Sequence, residues 1–165
     1  MDGRTKSGHD AHATMSNGVA TSPAPKRAFK QTRHAAKLGI MRWTILAAAL
    51  LGFLAVLADA WITHGAPASL DAQAIRWMGL AADFELWHAL ALLGVGVLMG
   101  SRPGRCLGSA AIAFGLGTVL FAGGLDGLAL TGAHGFAYVI PVGGTLLLVG
   151  WLLLALYALL LRPGR

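Results

Sequence analysis

Four apolar segments, each long enough to cross a lipid bilayer, fill most of the chain after residue 42. Crossing the hydrocarbon core takes roughly 20 helical residues, and the segments span about residues 43–62, 84–100, 107–125 and 138–161. A closed β-barrel would need strands of about ten residues with alternating polarity. These segments are continuous and rich in Leu, Ala and Gly. The sequence therefore predicts an all-α membrane protein with four transmembrane helices in a compact bundle.

Composition divides the chain into two parts. Hydrophobic residues make up 56% of the chain and charged residues 12%, and the later connections are too short to hold a soluble domain. We predict a basic cytoplasmic tail at residues 1–41 and a transmembrane domain at 42–165. The tail has few large apolar residues and is expected to be disordered. Met41 also fits a translation start, so residues 1–40 are either a translated tail or an upstream artefact.

The basic residues are unevenly distributed among the connections. Eight of the thirteen Lys and Arg residues precede the first segment. Arg102 and Arg105 lie between the second and third segments, and Arg162 and Arg165 follow the fourth, whereas only Arg76 lies between the first and second. The positive-inside rule predicts a protein of the cell inner membrane with both termini cytoplasmic. This distribution of the +6 net charge favours a membrane surface over nucleic acid as partner.

The end of the tail carries basic residues at near-helical spacing. Lys26, Lys30, Arg33 and Lys37 would form one cationic stripe if this stretch were helical. Each basic residue beside an anionic leaflet contributes about 1 kcal/mol of attraction. The stripe is predicted either to contact anionic lipid or to act only as a topology determinant.

The first segment also has a weak cleavage pattern. Ala58-Asp59-Ala60 resembles the small-x-small site that follows an apolar signal sequence. The preceding basic region and the apolar run are both longer than in a typical signal peptide. We expect a retained helix, with cleavage as the alternative.

A polar cluster is predicted at the outer ends of the segments. Its members are Asp59, His64, Glu85, His88 and Asp126. Ionisable residues in membrane helices usually face the bundle interior, and Glu85 and His88 share a helix face at i,i+3. We expect His64 to meet this face between the first two segments. The cluster serves either as interhelical hydrogen bonding and headgroup contact or as a ligand site.

Motifs for chemistry are missing from the sequence. One Glu-x-x-His pair falls short of the repeated pairs that build di-metal sites, and the histidines do not form a mid-membrane haem pattern. The sequence also has no nucleophile elbow, zinc-protease motif or phosphate loop. We therefore predict no metal, no cofactor and no enzymatic activity. The preferred function is helix packing against a second copy or a membrane partner, and the alternative is a small transporter or channel subunit that uses the polar cluster.

Two stretches carry a resemblance to a known family. Pro141-Val142-Gly143-Gly144, together with Gly150-Trp151, resembles the Pro-x-Gly-Gly…Gly-Trp signature of the membrane family called domain of unknown function 423. The run from Phe84-Glu85 to His88 resembles the family's Tyr-Gln-x-x-His. The resemblance implies a four-helix inner membrane protein, and it implies no activity, substrate or catalytic residue. Helix packing is the expected role of the matching residues, which are Pro141, Gly143, Gly144, Gly150 and Trp151.

The chain departs from the family pattern at the outer face. The family's Gly-Ala-Phe-Gly-Ala-His element reads Asp59-Ala60-Trp61-Ile62-Thr63-His64 here. Its Ser-Leu-Tyr element reads Gly124-Leu125-Asp126. A family-wide activity at this face would therefore not transfer automatically to this chain.

Overall fold

The computed structural model describes the backbone of residues 24–66, 68–101 and 104–161, with side chains from residue 38 onward. The helices in these ranges are α1 (Ala24–His64), α2 (Ala72–Ser101), α3 (Arg105–Thr131) and α4 (Gly135–Leu160). Each contains a stretch long and apolar enough to cross a membrane, which in α1 is Leu38–His64. The prediction of an all-α fold with four membrane-length helices is confirmed.

Helix α1 begins well before the first predicted segment. Its backbone is helical from Ala24, ahead of the membrane-length stretch Leu38–His64. The disordered basic tail at residues 1–41 stays a prediction. After Pro25, which occupies the tolerated first turn, this stretch contains no further helix breaker except Gly39. The predicted disorder of residues 1–23 lies outside the described residues, as do the side chains of Lys26, Lys30, Arg33 and Lys37.

Helix α2 begins at Ala72, whereas hydropathy predicted a start near residue 84. The carboxylate of Asp71 accepts a hydrogen bond of 2.7 Å from the backbone N–H of Ala74, which caps the first turn. The early turns already bury one face of the helix, and their charged residues, Arg76 and Asp83, are exposed. These charges lowered the local hydropathy and concealed the start of the helix.

A tight turn connects α3 to α4. Gly132 adopts a left-handed conformation with φ of 66°, and its N–H donates to the carbonyl of Leu128 at 2.9 Å. A residue with a side chain is strained in this conformation, so glycine suits the helix C-terminus. Only three residues separate the two helices, which are therefore antiparallel neighbours.

Helices adjacent in sequence are also adjacent in space. Helix α1 packs on α2, α2 on α3, and α3 on α4, whereas α1 touches α3 at only a few positions. The most deeply buried side chains belong to the central pair α2 and α3 and are Phe114, Leu92, Leu107, Val95 and Thr118. Helices α1 and α4 flank this pair and expose most of their apolar surface, as helices in contact with lipid do.

Glycine allows α3 and α4 to approach most closely. A Cβ atom built on Gly143 would collide with backbone atoms of Phe121 and would lie 2.9 Å from the carbonyl oxygen of Gly117. Because these are backbone atoms, no side-chain rotation can relieve the collision. At Gly150 a Cβ would come within 2.7 Å of the Phe114 ring. Two glycines of the family signature are thus required for helix contact.

The contact at Gly143 gives the first prediction. Gly143→Ala should lower the free energy of unfolding by about 1–3 kcal/mol, because the added methyl group overpacks the α3–α4 interface. Thermal unfolding in mild detergent measures the change. Gly144→Ala is the matched control, since its Cβ would lie at an ordinary 3.7 Å from the Phe121 ring. Equal stability of the two variants would contradict the role assigned to Gly143.

Candidate functional site

Two of the predicted polar residues line one cavity between the helices. Glu85 on α2 and Asp126 on α3 contribute to a cavity of about 580 Å³ whose other wall is α1. Its remaining lining residues are Leu51, Leu54, Leu57, Ala58, Trp61, Thr118, Val119, Ala122 and Gly123. Both side chains end in a carboxyl group and line the same space. They form the candidate site, which we call the α1–α3 cleft.

The cleft exists because α1 and α3 are held apart. Both helices pack against α2, yet they barely touch each other. The facing surface of α3 contains small residues, among them Ala122 and Gly123. A Cβ added to Gly123 would meet no atom within 4 Å. The small residues of α3 therefore leave this space open, and Glu85 of α2 is one of the residues that line it.

The carboxyl groups of the cleft lack hydrogen-bond partners among the described residues. Glu85 is only 9% exposed and makes no hydrogen bond there. Oδ1 of Asp126 is fully buried and also has no partner. The nearby hydroxyl of Thr118 cannot help by donating, because it already donates to the carbonyl oxygen of Phe114 at 2.7 Å. Buried polar groups are normally satisfied, so this pair requires an explanation.

His88 does not line the cleft, although it is three residues from Glu85. Residues at i and i+3 are separated by roughly 60° around a helix, so His88 can contact Phe114 and Trp151 while Glu85 lines the cleft. Nδ1 of His88 donates to the carbonyl oxygen of Phe84 at 2.7 Å. Its Nε2 accepts a hydrogen bond of 3.3 Å from the indole N–H of Trp151 on α4. These two contacts correspond to a neutral imidazole with its proton on Nδ1.

Aromatic rings enclose the His88–Trp151 hydrogen bond. The Phe114 ring lies 5.8 Å from the His88 ring and 5.2 Å from the Trp151 ring, measured between centroids. Phe84 stacks on His88 at 5.7 Å. A histidine of one family motif thus binds the tryptophan of the other, which joins α2 to α4 across α3. The sequence showed both motifs and gave no sign that they pair.

The other predicted members of the cluster lie apart from the cleft. Asp59 and His64 are exposed near the end of α1, and His64 makes no hydrogen bond to another described residue. The expected meeting of His64 with Glu85 and His88 is therefore not found among these contacts. Trp61 was not singled out as a site residue, but it lines the cleft one turn from Leu57. Trp61 and Leu57 are four residues apart and so lie on one face of α1, which is the sequence pattern that could have identified Trp61.

The described residues contain no group of three or more His, Cys, Asp or Glu side chains arranged to hold a metal ion. The cleft offers two carboxyl groups, whereas Ca²⁺ takes six to eight oxygen ligands and Zn²⁺ usually takes four ligands. A polyvalent metal would therefore be poorly held by this site alone. An organic ammonium ion carries one charge and imposes no coordination number, so carboxyl groups and an aromatic ring can hold it.

The His88–Trp151 contact gives the second prediction. His88→Ala and Trp151→Phe should each lower the free energy of unfolding by about 1–3 kcal/mol, because each leaves one polar group of the pair without a partner. In the double variant the losses should not add, since both changes remove the same bond. Thermal unfolding of the four proteins in this cycle measures the coupling. Additive losses would show that the hydrogen bond contributes nothing.

Comparison with known proteins gives the family. Residues 58–144 match the family described as "Protein of unknown function (DUF423)". The UPF0382 inner membrane protein YgdD of Escherichia coli strain K12 is 34% identical over 121 residues, which cover 73% of this chain and 92% of that protein. A UPF0382 membrane protein of Haemophilus influenzae is 33% identical over 107 residues, covering 65% of this chain and 86% of that protein. No solved structure matches the chain. The similarity to inner membrane proteins agrees with the four membrane-length helices, and the chain belongs to the DUF423 family.

Proposed function

We propose that this protein is a small membrane-embedded binding protein that takes a singly charged cation in the α1–α3 cleft. The observation that carries the proposal is the unpartnered acidic pair. Glu85 is nine-tenths buried without a hydrogen bond to a described residue, and it shares its cavity with the orphaned Oδ1 of Asp126. Acidic groups inside a membrane bundle are costly and commonly mark a ligand or ion site.

A bound cation would offset two unfavourable effects in the cleft. It would supply the charge partner that the buried carboxyl groups lack, and it would reduce their mutual repulsion. Thr118 carries the only hydroxyl among the cavity-lining residues, and because it donates to the carbonyl oxygen of its own helix, we favour binding over catalysis. The proposal therefore corresponds to the transporter-subunit alternative of the sequence analysis, with binding as its first step.

The competing role, packing against a second copy or a partner, gains no support from the glycines that are most tightly packed. Gly117, Gly143 and Gly150 are already in contact with neighbouring helices inside one chain. They are therefore not free to form a small-residue interface with another molecule. The cleft is formed within one chain, so the proposed binding requires no oligomer. Native mass spectrometry from mild detergent would report the stoichiometry and any retained lipid.

The third prediction concerns the acidic pair. Butyltrimethylammonium should stabilise the wild-type protein against heat, approaching about 2.7 kcal/mol at about 100 times its Kd. Glu85→Gln and Asp126→Asn should abolish this stabilisation. Without the cation, both variants should be more stable than wild type, because a neutral amide removes the repulsion between buried charges. Thermal unfolding with and without the cation measures both effects.

The control for the acidic pair is Asp83→Asn. Asp83 lies on the same helix as Glu85 but is exposed, so its variant should retain the full stabilisation by butyltrimethylammonium. If Glu85→Gln were stabilised as much as the wild type, the cation would not bind at the acidic pair. The proposed function would then be wrong.

We also propose that both termini are cytoplasmic, which puts the Asp126 end of the cleft toward the outer surface. The excess of basic residues before α1 and between α2 and α3 supports this orientation. In the same orientation, Lys26, Lys30, Arg33 and Lys37 belong to the first turns of α1 at the cytoplasmic surface. There they would attract anionic headgroups.

Reporter fusions test the orientation and give the fourth prediction. A fusion at residue 103 or at the C-terminus should read as cytoplasmic, and a fusion at residue 70 should read as external, because positively charged connections stay inside. Changing Arg102 and Arg105 to Gln should weaken this preference, whereas changing Arg76 should not. A cytoplasmic signal from residue 70 would overturn the proposed orientation.

A further inference from the structure

We propose that the occupant of the α1–α3 cleft is a single-chain amphiphile with a cationic headgroup. This inference rests on the proposed function and adds a hydrocarbon chain to the bound cation. It follows from the lining of the groove on the side of Leu51 and Val119 that lies away from Glu85 and Asp126. That part of the groove is lined only by apolar side chains and glycine.

A second cavity continues the cleft along the same two helices. It has a volume of about 500 Å³ and shares Leu51 and Val119 with the cavity that holds the acidic pair. Its lining consists only of apolar side chains and glycine, namely Ala47, Leu50, Leu51, Ile112, Gly115, Leu116 and Val119. The combined groove therefore has a polar end and a wholly apolar end.

The length of the groove fits a hydrocarbon chain. Its α3 wall extends from Asp126 to Ile112, which at 1.5 Å per residue is about 21 Å. Leu50, Leu54 and Val119 along its rim are about half exposed, so the groove opens to the side toward lipid. A ligand could therefore enter from the bilayer with its chain already in an apolar environment.

The width of the groove depends on residues that have no packing role. A Cβ added to Gly115 or Gly123 would meet nothing within 4 Å. On the opposite side of α3, a Cβ added to Gly117 would come within 2.7 Å of Leu147. The glycines that face the groove are thus not needed for helix contact. Larger residues would fit there and would fill the space.

The polar end has the chemistry that recognises an organic ammonium group. Such a group is a single positive charge that can be held by carboxylates and by the face of an aromatic ring. The cavity contains both, since Trp61 lines it together with Glu85 and Asp126. An anionic headgroup would be repelled, and an uncharged headgroup would leave the negative charge of the carboxylates without a counter-charge. Among amphiphiles with the same hydrocarbon chain, charge complementarity therefore favours the one whose headgroup is positively charged.

The test compares headgroup and chain length in neutral maltoside micelles. Butyl-, octyl- and dodecyltrimethylammonium are added to the purified protein, and each concentration is expressed as a mole fraction in the micelle to remove the effect of partitioning. Binding is followed by thermal unfolding and by tryptophan fluorescence, with Trp61→Phe identifying the signal from the cleft. Dodecyl sulfate supplies the same chain with the opposite charge.

We expect dodecyltrimethylammonium to bind about tenfold more tightly than the butyl compound, which corresponds to about 1.4 kcal/mol. Gly115→Leu should remove this advantage by filling the apolar end, while binding of the butyl compound stays unchanged. Gly108→Leu is the control on the same helix, since Gly108 also has no atom near its Cβ position and lies outside both cavities. Leu116→Trp fills the groove from an exposed position if Gly115→Leu fails to fold.

The outcomes separate the two proposals. If all chain lengths bind equally and Gly115→Leu has no effect, while Glu85→Gln abolishes binding, the chain inference is wrong and the proposed function stands. If dodecyltrimethylammonium still binds to Glu85→Gln, or if dodecyl sulfate binds equally well, the groove accepts any hydrocarbon chain. That result would overturn both proposals.

Discussion

The bundle depends on close contact between α3 and α4, because lipid provides no hydrophobic force that pushes one apolar helix against another. Van der Waals contact has to replace that force, and it requires backbones to approach each other. Gly143 permits this approach to Phe121, and Gly150 permits it to Phe114. One side of α3 is fixed against α4 in this way. The distance between α3 and α1 then depends on how α1 packs against α2. The α1–α3 cleft is the space that this arrangement leaves.

The polar groups within the bundle fall into two kinds. Thr44, Thr118 and Thr145 each donate to the carbonyl oxygen four residues earlier, and His88 joins its own helix to Trp151. These groups are satisfied without water, as the membrane interior requires. Among the residues that the structure describes, Glu85 and Oδ1 of Asp126 have no hydrogen-bond partner, and both residues line the same cavity. Their shared location is what favours a ligand site over two unrelated defects in packing.

Hydropathy alone was sufficient to predict four helices, because each contains a long apolar run that no other secondary structure could hold in lipid. It did not predict the start of α2 at Ala72, since Arg76 and Asp83 interrupt that run while the buried face continues. The candidate site was only partly predictable. Glu85 and Asp126 were recognisable as costly residues, whereas their pairing depends on the gap between α1 and α3. A gap of this kind results from three-dimensional packing and leaves no local pattern.

The acidic pair is also where this chain departs from the pattern of its family. The motif that Phe84-Glu85 resembles has glutamine at the second position, and the element that Gly124-Leu125-Asp126 replaces ends in tyrosine. An amide and a phenol can bond to each other or to a neutral headgroup, and neither needs a cation. Two carboxyl groups in the same space cannot satisfy each other when both are ionised. The fold and the His88–Trp151 contact use the motifs that match the family, whereas the proposed preference for a cation rests on two residues that do not. We therefore expect cation binding in the cleft to distinguish this chain from relatives that retain the neutral pair.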